Sequence, residues 1–159
     1  MKKYIFYSIL LVFLLPVKVY ACEDTYISDT AYDACIRYGE EYSICPEFLM
    51  AAVESESSGQ ADAENDGCMG LMQVNVAFHT ERMERLGCTD IYDEDQNIRV
   101  AADYLSELFE KYDDACQVLM CYSMGEFSAE KLFNKGIYET SYTLGILERA
   151  QELERLHGK

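Results

Sequence analysis

Glu56 stands where an apolar residue belongs. Leu49, Ala52 and Val53 repeat at i, i+3 and i+4, the spacing that lines up one face of an α-helix, and the i+7 position is this glutamate. Burial disfavours the charged form of a carboxyl group, so its pKa is expected to rise. An acid kept protonated near neutral pH is what a glycosidic oxygen needs as a proton donor. The structural alternative is a half-exposed glutamate that merely ends the helix near Gly59. Glu54 lies about 200° away around the helix axis, at ~100° per residue, and is expected to face solvent.

The other reactive side chains do not assemble a second chemistry. Asp62, Glu64, Asp66 and Gly67 fall at the first, third, fifth and sixth positions of a calcium-loop pattern. The twelfth position, which should be a bidentate glutamate, is Gln73. His79 and His157 are too few and too scattered for a zinc site or a nucleophile–base pair. No Cys-x-x-Cys occurs, so redox catalysis has no anchor. The sequence therefore implies neither a metal nor a cofactor.

Helices must position Glu56, because helical periodicity recurs along the chain and alternating β-branched runs do not. The pattern predicts helices over about 26–42, 46–58, 77–86, 95–112, 115–122 and 139–156, with residues 60–76 as a loop. Pro46 fits a first helical turn, and Gly59 and Gly87 fit helix ends. The clearest stripe is Ile98, Ala101, Ala102, Leu105, Leu108, Phe109 and Tyr112. With no linker to divide it, the chain reads as one all-α domain.

Bulk composition narrows the setting. At 159 residues the chain holds one domain with a real core. Its 29 acidic against 13 basic residues, a formal charge of -16, exclude nucleic acid as a partner, since phosphate binding is driven by Lys and Arg. Lys2 and Lys3, an apolar stretch from Tyr4 to Leu15, and Ala21 have the layout of a secretory signal over residues 1–21. That stretch would span only ~18 Å as a helix, short of a ~30 Å hydrocarbon core. Residues 22–159 form the expected exported domain, with cleavage and release expected ahead of lipid anchoring at Cys22. Six further cysteines, an even number in an oxidising compartment, are expected to form disulfides.

Several blocks in order carry a resemblance. Glu56-Ser57-Ser58-Gly59, Gly67-Cys68-Met69-Gly70-Leu71-Met72-Gln73, Asn97-Ile98 with Tyr104-Leu105, and Tyr122-Ser123-Met124-Gly125 resemble the soluble lytic transglycosylase domain, related in fold to goose-type lysozyme. Glu54-Ser55 is also a Glu-Ser pair, and the helical stripe favours Glu56 as the family's acid. The resemblance covers roughly residues 40–150 and departs at Ser123, where the family usually has asparagine, and at Ala101, where glycine is common.

The resemblance implies a lysozyme-like cleft that cleaves the β-1,4 bond between N-acetylmuramic acid and N-acetylglucosamine in peptidoglycan glycan strands. Glu56 would be the catalytic acid and then base, and a 1,6-anhydromuramyl ring the product. Gln73, Tyr122, Ser123 and Tyr142 would contact substrate, and Ser57 would support the site by hydrogen bonding. A muramidase on the same fold and a non-catalytic peptidoglycan-binding protein are the alternatives. A monomer is expected, serving wall remodelling or the passage of a secretion, conjugation or phage apparatus.

Overall fold

The computed structural model describes residues 25–159. The expected signal segment 1–21 and Cys22 lie outside the described residues. Helix α1 (Asp29–Tyr42) starts at Ser28, whose hydroxyl accepts the Ala31 N–H at 3.1 Å, an N-cap that satisfies one orphan donor. Helix α2 (Pro46–Ser57) begins with proline at its first turn and ends where Ser58 turns left-handed at φ 54°. Between α2 and α3 (Val76–Leu86) the chain forms three two-residue strands, β1 (Glu64–Asn65), β2 (Cys68–Met69) and β3 (Val74–Asn75), antiparallel in that order.

Asp93 caps α4 (Glu94–Lys111) by accepting the Gln96 N–H at 3.0 Å, and Asp114 does the same for Gln117 at the start of α5 (Ala115–Met124). After α6 (Glu126–Phe133), a Thr140–Thr143 capping box opens α7 (Ser141–Leu156). The helix α2 is packed between α1 and α7, and α4 backs α1 and α5. Leu49, Met50, Val53, Ile98, Leu105 and Leu119 are sealed in the resulting core, so α2 is buried nearly all round until its last turn, where Glu56 meets a polar cleft.

The all-α expectation holds, with two additions and two corrections. The miniature sheet and α6 are additions. Two-residue strands carry no readable alternation, and α6 buries only Ala129, so neither leaves a periodic signature. The first correction concerns Glu54, which does not face solvent. Its side chain is 9% exposed, with Arg149 Nε at 2.7 Å and Nη2 at 3.1 Å, and it accepts the Tyr26 N–H at 3.1 Å.

The second correction concerns disulfides. All six described cysteines are free thiols. Cys35, Cys116 and Cys121 are buried and pack as small apolar side chains, and burial pushes the Cys35 thiol well above its ordinary pKa. Cys45 instead sits against two carboxylates, Glu47 at 3.2 Å and Glu154 at 3.3 Å, and its thiol is pushed up to about 11, chiefly by burial. An even count of cysteines permits pairing but does not bring sulfur atoms within bonding reach.

Candidate active site

A cleft of about 690 Å³ opens beside the last turn of α2. Glu56 lines it from α2, Gln73 from the loop before β3, Tyr122 and Ser123 from α5, and Tyr142 from α7. Five of the six side chains expected at the site are thus brought together from four parts of the chain. Ser57 is not. It is buried, and its hydroxyl donates to the Val53 carbonyl of its own helix at 3.2 Å.

Glu56 is half-buried and is the only carboxylate among the described residues lining this cleft. Desolvation raises its pKa, and a hydrogen bond from the Tyr142 hydroxyl to Oε1 opposes part of that rise. The net direction is upward, so the proton persists to higher pH than on a solvated glutamate. Glu54 does not line this cleft and is paired with Arg149 instead.

The loop that faces Glu56 is held by one amide. Asn97, completely buried on α4, accepts the Met72 N–H at 2.8 Å and donates to the carbonyls of Met69 at 2.9 Å and Ile91 at 2.8 Å. This leaves no room beside Gly70, where a Cβ would come within 2.2 Å of Asn97 Nδ2, and the φ of 76° also favours glycine. Tyr122 closes the loop from the other side, its hydroxyl donating to the Met72 carbonyl at 2.6 Å. Gln73 is left-handed at φ 47°, and its Nε2 donates to the carbonyls of Gly70 at 3.0 Å and Ala63 at 3.2 Å. The calcium-loop positions do not converge here: Asp62, Glu64 and Asp66 are exposed, and Gln73 is spent on carbonyls.

A sequence profile described as Transglycosylase SLT domain matches residues 33–141, more than half of the chain, and the matched span contains both Glu56 and the loop that faces it. The chain belongs to this family. A relative named Transglycosylase, from Enterobacteria phage PRD1, is 35% identical over 86 residues, which are 54% of this chain and 31% of that protein. Among solved structures, an inactive glutamate-to-glutamine mutant of the lytic transglycosylase Slt from Pseudomonas aeruginosa superposes with a TM-score of 0.66 at 17% identity. That match covers 77% of this chain and 24% of the larger enzyme, and shows the shared lysozyme-like fold. The SLT domain described here thus spans under a third of the length of either relative.

Sequence reasoning missed part of the SLT cleft. Phe78, His79 and Arg82 line it from α3, and Tyr104 from α4. The His79 and Tyr104 ring centroids are 4.5 Å apart, and those of Tyr104 and Tyr122 are 5.7 Å apart, a run of rings along one wall. Burial, then the nearby Arg82, lowers the pKa of His79. Asn97 was readable in principle: it falls four residues before Ala101 on the buried face of α4, a polar group on an apolar stripe just as Glu56 is.

Proposed function

We propose that this SLT-domain protein is a peptidoglycan lytic transglycosylase with Glu56 as its sole acid–base residue. The observation that carries this reading is a cleft whose single carboxylate is half-buried, raised in pKa and hydrogen-bonded by Tyr142. A double-displacement glycosidase needs a second carboxylate about 5–5.5 Å from the first. The described cleft lining supplies none, which supports a reading in which the substrate provides the nucleophile.

In the proposed reaction, protonated Glu56 gives its proton to the oxygen linking N-acetylmuramic acid to N-acetylglucosamine. The C1–O bond breaks with its electron pair going to that oxygen. The acetamido oxygen of the same muramyl residue bonds to C1, forming an oxazolinium ion. Glu56, now a carboxylate stabilised by the Tyr142 hydroxyl, takes the proton of the muramyl 6-hydroxyl. O6 then bonds to C1, the acetamido oxygen leaves it, and the 1,6-anhydro ring closes with Glu56 protonated again. Gln73, Tyr122 and Ser123 line the path of the sugars along the cleft.

Mass spectrometry of digested peptidoglycan tests the reading. Fragments lighter by one water than reducing-end muropeptides are expected. Reducing ends alone would make the protein a muramidase, and undiminished wall lysis by Glu56→Gln would overturn the assignment of the acid. The place of action is the cell envelope, reached through the export signal proposed over residues 1–21, with lipidation at Cys22 the variant of that route. No helix among the described residues is long and apolar enough to cross a membrane. The PRD1 relative makes the passage of a phage or comparable apparatus through the wall the setting we favour, with the protein acting as a monomer.

A further inference from the structure

One wall of the cleft is not held by the core. None of the eleven residues of α3 is buried, and Val76, Met83 and Leu86 rest only half-buried against the core edge. Yet this helix supplies Phe78, His79 and Arg82 to the cleft, and Phe78 presents a ring that is 83% exposed. A helix with so little apolar burial needs another attachment to stay in one place.

Arg99 donates to the Leu86 carbonyl at 3.2 Å, and the ionic part of the attachment converges on one side chain. Asp103, buried on α4, pairs with Arg82 and also accepts two N–H groups of Arg85, at 2.7 Å and 3.2 Å. Arg82 and Arg85 are three residues apart on one face of α3, so a single carboxylate grips a full turn of the helix. Glu107, one turn along α4, takes the second arm of Arg82 at 2.6 Å, and the Arg82 guanidinium lies 5.1 Å from the centre of the Tyr104 ring. Without the Asp103 charge, two guanidiniums would remain close together, and the Arg82 side chain, only 13% exposed, would lose its closest counter-charge.

We propose that Asp103 is a positioning residue for glycan binding: it fixes α3, and so sets where Phe78 and His79 meet the sugar chain. The link to sugar rests on the proposed function; the clamp itself does not. Asp103 touches no reacting atom in this scheme, so its removal weakens substrate binding and leaves proton transfer by Glu56 intact.

The test compares Asp103→Asn with wild type, with Arg85→Gln as a milder second variant and Glu84→Gln, an exposed site on the same helix, as control. KM for peptidoglycan is expected to rise several-fold in Asp103→Asn, with kcat changed by no more than about twofold. Arg85→Gln should move the same way by less, and Glu84→Gln should match wild type. The chain has two histidines, so imidazole NMR offers a separate readout. The His79 resonances should shift without any ligand in Asp103→Asn and also in Arg85→Gln, which leaves the Asp103 charge near His79 in place. Those of His157, packed against Glu47 at 2.9 Å and beside the Tyr32 ring, should stay put.

An unmoved His79 in Arg85→Gln, or KM unchanged in Asp103→Asn, overturns the proposal. So does a shift of both histidines with kcat falling in step, which marks general loss of structure. If Asp103→Asn does not fold, Arg85→Gln decides by the same two readouts. If wild type cleaves no peptidoglycan, the proposed function falls, and the clamp stands or falls on His79 alone.

Discussion

Tyr142, in the first turn of α7, donates its hydroxyl proton to Glu56, in the last turn of α2, across 86 residues of chain. The bond favours the charged form of Glu56 while burial disfavours it, so the two effects oppose each other at one oxygen. Burial wins, and the net direction is upward. In the proposed reaction, opposed effects of this kind suit a group that gives a proton in one half and takes one in the other.

Tyr142→Phe removes the lowering contribution and keeps the raising one, so the Glu56 pKa should climb further. The basic limb of the kcat/KM profile reports loss of the protonated acid and should move to higher pH in this variant. The kcat should fall, because the carboxylate formed mid-reaction loses its partner. A basic limb that stays in place in a pH–rate titration would show that Tyr142 does not tune the acid.

Asn97→Ala would leave the Met72 N–H and the carbonyls of Met69 and Ile91 without the partner they now share. At about 1 kcal/mol per buried bond, the expected loss is on the order of 3 kcal/mol, a fall in Tm of about 10 °C. Gly70→Ala drives a methyl into the same amide and should cost a similar amount. Thermal unfolding followed by circular dichroism checks both.

Glu47 should govern stability in acid. It is 1% exposed, and although burial alone would raise its pKa, Lys159, His157 and Cys45 hold it down at about 2. A carboxylate with a depressed folded pKa stabilises the fold above its unfolded value, here 4.5, and that contribution fades as pH falls towards 2. Wild type should therefore lose Tm steeply across this window, while Glu47→Gln starts lower and shows a flatter slope.

Thiol chemistry checks the absence of disulfides. Alkylation of denatured, unreduced protein should label Cys35, Cys45, Cys68, Cys88, Cys116 and Cys121. In the native state Cys35 should react slowest, since it is completely buried and its thiolate is disfavoured, and the half-buried Cys68 and Cys88 should react faster. Peptide mapping by mass spectrometry separates the sites.

What the sequence disclosed follows from what each element buries. The stripe Leu49, Ala52 and Val53 faces the core, so it both marked α2 and exposed Glu56 as the exception. Glu54 was misread because helix geometry gives a direction and not a partner: Arg149, 95 residues on, waits on the far side. The wall from α3 was illegible because Phe78 and His79 are not core residues, and an amphipathic pattern over α3 marks a helix without marking a cleft. Ser57 was assigned a supporting bond by resemblance, whereas its hydroxyl is satisfied one turn back within α2.

The sequence separations at the cleft carry a kinetic consequence. Met72 meets Asn97 across 25 residues, Tyr122 across 50, and Tyr142 meets Glu56 across 86, while each helix closes its own bonds within a few residues. Closing long loops costs entropy that only late, cooperative contacts repay. On refolding from denaturant, far-ultraviolet ellipticity should therefore recover before lytic activity, and the interval between them would time the closing of α7 onto α2.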